Sequence, residues 1–385
     1  MVSGPKLANT AKNISEKGEI YEMNITFLIG NGFDLNLGLD TRYSDFLKDY
    51  LQDNPKDNEE IKSFKTDIRK QQSENSTPAE NLWVNAELAF GHYTDDIVKQ
   101  GKKADSFSRR RIDFCRKLAT YLQRQEKRVC VEENEQAFVD GIRHFRSGLT
   151  EVQNDAVKRS YDLFDGGCTF NFLVFNYTCI IDRFIEAVRK RKIQLGTRVY
   201  RNSTYDNSFG KTIHVHGTTR KDMVFGVNDE SQIENMTLFE DNSPFYLNSF
   251  IKQKTNKGNE AQTDEKAHEV IKTSSFIYIY GMSIGATDKI WWQRIVERMK
   301  VQPHAHVFIY CHDVPQDTLI KEGRWFYEEA KKNQLLAFAD GDNSALKSRI
   351  HIVDNNIFEA FTNIATAPEA NEVIEKVTEF ASLIS

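Results

Sequence analysis

The run Ile25-Thr26-Phe27-Leu28-Ile29 ends abruptly in Gly30-Asn31-Gly32, and Gly38 follows inside a short polar–apolar segment. A compact apolar run closed by turn residues reads as a strand covered on both faces. Here it runs into a glycine turn and then a helix. Glycines without Cβ let backbone N–H groups approach a ligand, and a helix N-terminus favours negative charge, so a diphosphate is the natural guest. The dehydrogenase fingerprint G-x-G-x-x-G fails, because the position three after Gly32 is Leu35. A tight turn with no ligand is the competing reading.

Further strand signals cluster near 170–175, 197–201, 211–215, 275–280, 305–310 and 348–353, with helical patterns between them, such as Asp288–Met299 and Asn371–Leu383. Short apolar runs alternating with helices predict a Rossmann-type, doubly wound parallel α/β sheet. Ligands of such sheets bind at the carboxyl ends of the strands. Between the first two sheet strands, residues 46–164 read as helices (Glu59–Gln71, Leu82–Lys99, Ser106–Glu133 and Gln136–Gly148), a large helical insertion or lid. A second insertion, Glu230–His268, is polar and loop-rich. Residues 1–22 are polar and lack the apolar core of a signal peptide, so they are read as a leader outside the fold. The α/β domain is then expected over 23–45 and 165–385.

With 51 basic and 56 acidic residues the formal net charge is −5, so no global field attracts nucleic acid, and nucleic acid is not an expected partner. The basic run Arg189-Lys190-Arg191-Lys192 follows an apparent helix, Ile180–Val188, where cations suit the C-terminal end. Five scattered cysteines, none at C-x-x-C spacing, point to reduced thiols and a cytoplasmic protein. No apolar run approaches the roughly twenty residues of a membrane span.

Several strand ends carry distinctive wording: Phe175-Asn176-Tyr177-Thr178, His214-Val215-His216-Gly217, and Gly281-Met282-Ser283 continuing to Asp288. Together with Gly30-x-Gly32 and Gly38, they resemble the order of motifs in sirtuin-type NAD-binding domains. More closely, Ile29–Asp34, Trp83–Glu87, Phe175–Thr178, His214–Gly217 and Gly281–Asp288 resemble the bacterial abortive-infection AbiH family, from Met23 onward. That resemblance implies phage defence. The sirtuin-like order implies NAD as substrate, although the chain lacks the four cysteines of the zinc module found in deacetylase sirtuins.

Carried onto this chain, the resemblance assigns the diphosphate to the turn Gly30-Asn31-Gly32, the adenosine half to Gly281 and Ser283, the ribose or water to Asn176, and the general base to His216. Neutral imidazole can take a proton at neutral pH without large tuning. Asn176 is equally suited to capping the next helix, a task Thr178 could take instead. His214 and His216, two apart on a strand, are expected on one face, with His214 the packing residue. Asp34 is read as facing a ribose hydroxyl or capping a helix, and Asp288 as a site carboxylate or an N-cap. Trp83 and Glu87 share a helix face, and Trp291-Trp292 reads as helix core. The preferred activity is hydrolysis of NAD at the nicotinamide–ribose bond with no metal. The expected partners are a phage-derived trigger and either a second copy or a defence-system protein. The rivals are a nuclease or nucleotide hydrolase using Asp34, Asp288, Glu87 and His216 around a metal, and a non-catalytic nucleotide sensor.

Overall fold

A computed structural model describes residues 21–74, 85–240, 243–258, 262–315 and 321–361. Its strands are β1 (Tyr21–Ile29), β2 (Phe164–Val174), β3 (Thr197–Tyr200), β4 (Ser203–Asp206), β5 (Ser208–His214), β6 (Phe276–Tyr280), β7 (His306–Tyr310) and β8 (Ile350–Val353). Six of them form one sheet in the order β5-β2-β1-β6-β7-β8, with every pairing parallel. The chain winds outward from β1 through β2 to β5, returns, and winds the other way through β6, β7 and β8. Numbered within the sheet, that is the 3-2-1-4-5-6 order of dinucleotide-binding sheets, with the reversal between β1 and β6. The expected Rossmann-type α/β fold is the one observed.

The two faces follow the period of two. Ile25, Phe27 and Ile29 of β1 join Phe170, Phe172, Tyr278 and Tyr280 in one core, while Leu28, Leu173, Ile277 and Ile279 point to the other. Because both faces are apolar, the strands read as unbroken hydrophobic runs.

The helices are α1 (Gly32–Asn36), α2 (Tyr43–Tyr50), α3 (Glu59–Glu74), α4 (Ala86–Lys99), α5 (Ala104–Lys127), α6 (Glu135–Arg143), α7 (Glu151–Tyr161), α8 (Ile180–Arg191), α9 (Ser243–Phe250), α10 (Lys252–Gly258), α11 (Thr263–Thr273), α12 (Lys289–Val301) and α13 (Lys321–Leu336). On one face of the sheet α6, α7 and α8 supply Phe138, Val157 and Phe184; on the other, α11, α12 and α13 supply Ile271, Trp292 and Leu335. Trp291 and Trp292 are both core, as the sequence suggested.

Several expectations need correction. The first strand begins at Tyr21, which pairs with Phe164, two residues before the boundary drawn at Met23. The stretch 46–164 is not one unit. Helices α2 to α5 build their own aromatic core around Phe46, Phe64, Phe90 and Phe114, whereas α6 packs on the sheet through Phe138 and Ile142. Phe225, Val227 and Phe250 complete that aromatic core, and they come from beyond β5, so the helical layer is assembled from two distant parts of the chain. The strand near 197–201 lies outside the main sheet, since β3 pairs antiparallel with β4. The second insertion is helical, containing α9, α10 and the first residues of α11. The helix expected at Asn371–Leu383 lies outside the described residues, as does Trp83. No described helix is long and apolar enough to cross a membrane.

Candidate functional site

At the carboxyl ends of β1, β2, β5 and β6 the sheet opens into a cleft of about 500 Å³, within the range of small-molecule sites. The helical layer closes its far side. Gly30 and Asn31 line it from β1, Phe175 and Tyr177 from β2, His216 from β5, and Gly281, Ser283 and Asp288 from β6. Arg42, Tyr43 and Glu87 face them from the helical layer, and Lys252 comes from α10.

The charged groups form a chain across the cleft. His216 Nε2 lies 3.0 Å from Asp288 Oδ1. Lys252 Nζ is 2.7 Å from Glu87 Oε2 and 3.6 Å from Asp288 Oδ1. The Tyr177 hydroxyl donates to Glu87 Oε1 at 3.2 Å. Burial opposes ionisation of Asp288, but Lys252 and His216 outweigh it and hold the carboxyl below its ordinary range. Burial likewise works against the Lys252 ammonium, and Asp288 and Glu87 overcome it, leaving the lysine above its usual value. With Asp288 ionised, the bond to His216 places a proton on Nε2. Nδ1 is buried without a partner among the described residues. Phe175 packs edge-on against the His216 ring, 5.5 Å between centroids, and fixes its plane.

His214 is elsewhere. Strand β5 ends at His214, so the two-residue alternation does not carry on to His216, which sits in the turn that follows. His214 Nε2 meets Asp182 of α8 at 2.6 Å and lines a separate cavity of about 260 Å³. The expectation of a shared face is therefore overturned.

Asn176 and Asp34 form a buried pair that does not line the cleft. Asn176 Nδ2 donates to Asp34 Oδ1 at 2.9 Å, and the Thr178 hydroxyl to Oδ2 at 2.7 Å. Neither Asn176 nor Thr178 caps α8, whose N-cap is Cys179. Burial pushes the Asp34 carboxyl up to about 7, against the pull of those two hydrogen bonds. Asp288 stands at the N-cap of α12, yet its carboxylate does not cap and is directed to His216 and Lys252 instead.

The glycine turn serves packing. Gly30 N–H donates to Tyr280 O, Gly32 N–H to Gly281 O and Phe33 N–H to Gly30 O, at 2.8–2.9 Å. A Cβ on Gly281, where φ is +66°, would come 2.6 Å from Gly32 Cα; one on Gly30 would come 2.6 Å from Gly281 O. The two loops touch backbone to backbone, and the Gly30 and Gly32 amides are consumed in that contact, while Phe33 N–H closes the turn on itself. Gly32 itself does not line the cleft, and α1 is a five-residue turn of helix.

The sequence model of a family described as bacteriophage abortive infection AbiH matches residues 26–310. The chain belongs to the AbiH family. The match runs from β1 through β7 and so contains every residue of the cleft described above. No curated protein matches the chain. Within this AbiH protein, sequence reasoning overlooked Lys252, Arg42 and Tyr43. Lys252 opens a helix, KQKTNKG, that has no apolar residue to reveal a buried face. Arg42 and Tyr43 stand just beyond Gly38, where the glycine pattern had already ended. Tyr177 lay inside the quoted motif but carried no assigned role.

Proposed function

We propose that this AbiH protein is an abortive-infection effector that hydrolyses NAD at the nicotinamide–ribose bond. The observation that carries the reading is the His216–Asp288 pair, 3.0 Å apart, in the wall of a cleft beside the strand-order reversal. Dinucleotides bind at such reversals. Water attacks the ribose carbon as the carbon–nitrogen bond breaks, and the bonding pair returns to the pyridinium nitrogen, so nicotinamide leaves neutral without a general acid. His216 takes the water's proton at Nδ1, while Asp288 holds Nε2–H and stabilises the imidazolium that forms. Glu87 and Asp288 supply negative charge near the positively charged, oxocarbenium-like transition state. Asn176, bonded to Asp34 through Nδ2 behind the cleft, is assigned a positioning role, holding the end of β2 that carries Tyr177 to the cleft, in place of the ribose contact the resemblance implied.

The metal-dependent alternative needs Asp34, Glu87, Asp288 and His216 around one ion. Asp34 is packed away from the cleft, and the Lys252 ammonium already stands between Glu87 and Asp288. Hydrolysis without a metal fits that arrangement better. The test is nicotinamide release from NAD by the purified protein, alone and with lysate of phage-infected cells. His216→Ala should reduce the rate by about 10²–10⁴-fold with the fold intact. Equal rates for wild type and variant would overturn the mechanism.

A further inference from the structure

With the Gly30 and Gly32 amides consumed, the glycine turn keeps only the Asn31 amide for the phosphates of a nucleotide in this cleft, and further donors are needed. We propose that the N-terminus of α2, with Arg42, is that anion site. The inference rests on the nucleotide reading above and names the groups that recognise its diphosphate.

Helix α2 has Arg42 at its N-cap, a residue that makes no side-chain cap, with its backbone extended at φ −68° and ψ 149°. Helices are normally capped by Ser, Thr, Asp or Asn, which satisfy the first free amides. Here the neighbouring Thr41 hydroxyl is buried without a partner among the described residues and does not cap the helix. Asp45 N–H and Phe46 N–H return to Arg42 O, and no described acceptor meets the amides of Tyr43 and Ser44. Arg42, Tyr43 and Ser44 all line the cleft. Asn31 fixes this end of the helix beside the glycine turn, donating from Nδ2 to Thr41 O at 3.0 Å.

Two further observations point to a ligand. His216 lines the same cleft with only 5% of its surface exposed, and its Nδ1, without a partner among the described residues, is a free acceptor for a donor group of a bound molecule. The charge inventory also leaves a cation over. Glu87 and Asp288 are engaged with Lys252, and the first-turn Asp45 with Lys48 at 3.1 Å. Arg42, whose side chain is 62% exposed, approaches no carboxylate of the described residues nearer than 3.9 Å, at Asp45. Free amides at a helix N-terminus beside an exposed guanidinium held only by one long ion pair suit a phosphate or diphosphate.

Titration calorimetry with inorganic pyrophosphate, ADP-ribose and adenosine tests this on the full chain. Arg42→Ala should weaken pyrophosphate and ADP-ribose by about tenfold or more and leave adenosine unchanged. Tyr43→Pro and Tyr43→Ala both lose the phenol, but only proline removes the amide, and Arg42 already has the extended backbone that a following proline requires. Tyr43→Pro should therefore bind pyrophosphate more weakly than Tyr43→Ala, with matching thermal midpoints showing that both fold. Undiminished pyrophosphate binding in Arg42→Ala and Tyr43→Pro, or none in the wild type, would overturn the proposal. The glycohydrolase reading fails separately, if pyrophosphate binds as described and nicotinamide is never released.

Discussion

Replacing Lys252 with methionine is the sharpest structural perturbation available. Lys252 is 5% exposed in its side chain and its two partners, Glu87 and Asp288, are 10% and 19% exposed, so this is a buried ionic cluster. Methionine keeps the length and apolar stem but leaves two carboxylates facing each other without their cation. Breaking a buried pair by removing one partner typically costs about 3–5 kcal/mol, because the remaining charge stays desolvated. Against a total stability of about 5–15 kcal/mol, that is a large fraction. The pH dependence follows from the sign of the Asp288 shift. Its carboxyl is depressed in the folded protein, so the stability it contributes is present above the ordinary carboxylate pKa and is lost as pH falls through the folded value. The deficit of Lys252→Met should therefore be greatest near neutrality and shrink as pH drops and the orphaned carboxylates protonate. Adding Glu87→Gln should restore part of the loss. Urea unfolding of the four proteins in this cycle, at neutral and acidic pH, measures both effects. A deficit under about 1 kcal/mol at neutral pH, or one that grows on acidification, would refute the reasoning, since about that little is expected of an exposed pair.

Asp34 has the opposite sign. Its pKa is raised to about 7, so the folded state binds the extra proton and stability should fall as pH rises from about 4 to about 7; Asp34→Asn should flatten that slope in denaturation curves taken across the interval. Gly281→Ala should destabilise by several kcal/mol or prevent folding, because the new Cβ meets Gly32 backbone at φ +66°; a thermal midpoint unchanged from wild type would disprove the close approach. His214→Ala should leave NAD turnover intact and cost little stability, since its partner Asp182 is half exposed, and a loss of turnover matching His216→Ala would place it in the site.

The parts of the fold that could be read from sequence are those where burial alone determines the pattern. β1, β2, β6, β7 and β8 are apolar on both faces and stand out as runs. β3, Thr197–Tyr200, has strand-forming residues but is not apolar on both faces; its partner is β4, and strand propensity carries no information about pairing. The carboxyl-end motifs located the cleft because an α/β sheet puts its ligands there, and His216 and Asp288 meet as a consequence. The direction of individual side chains was less accessible. The alternation joining His214 to His216 failed where β5 stopped, and the turn glycines, open to two explanations in sequence, proved to be in contact with Gly281. Lys252 left no trace, because its partners are contributed by β6 and the helical layer, far away in the chain.

NAD in infected cells is the most direct test of the proposed glycohydrolase. Mass spectrometry of NAD and nicotinamide after phage infection should show NAD falling as nicotinamide rises in cells carrying the wild-type protein, with both held steady in cells carrying His216→Ala. Phage protection by the wild type with NAD undiminished would contradict it.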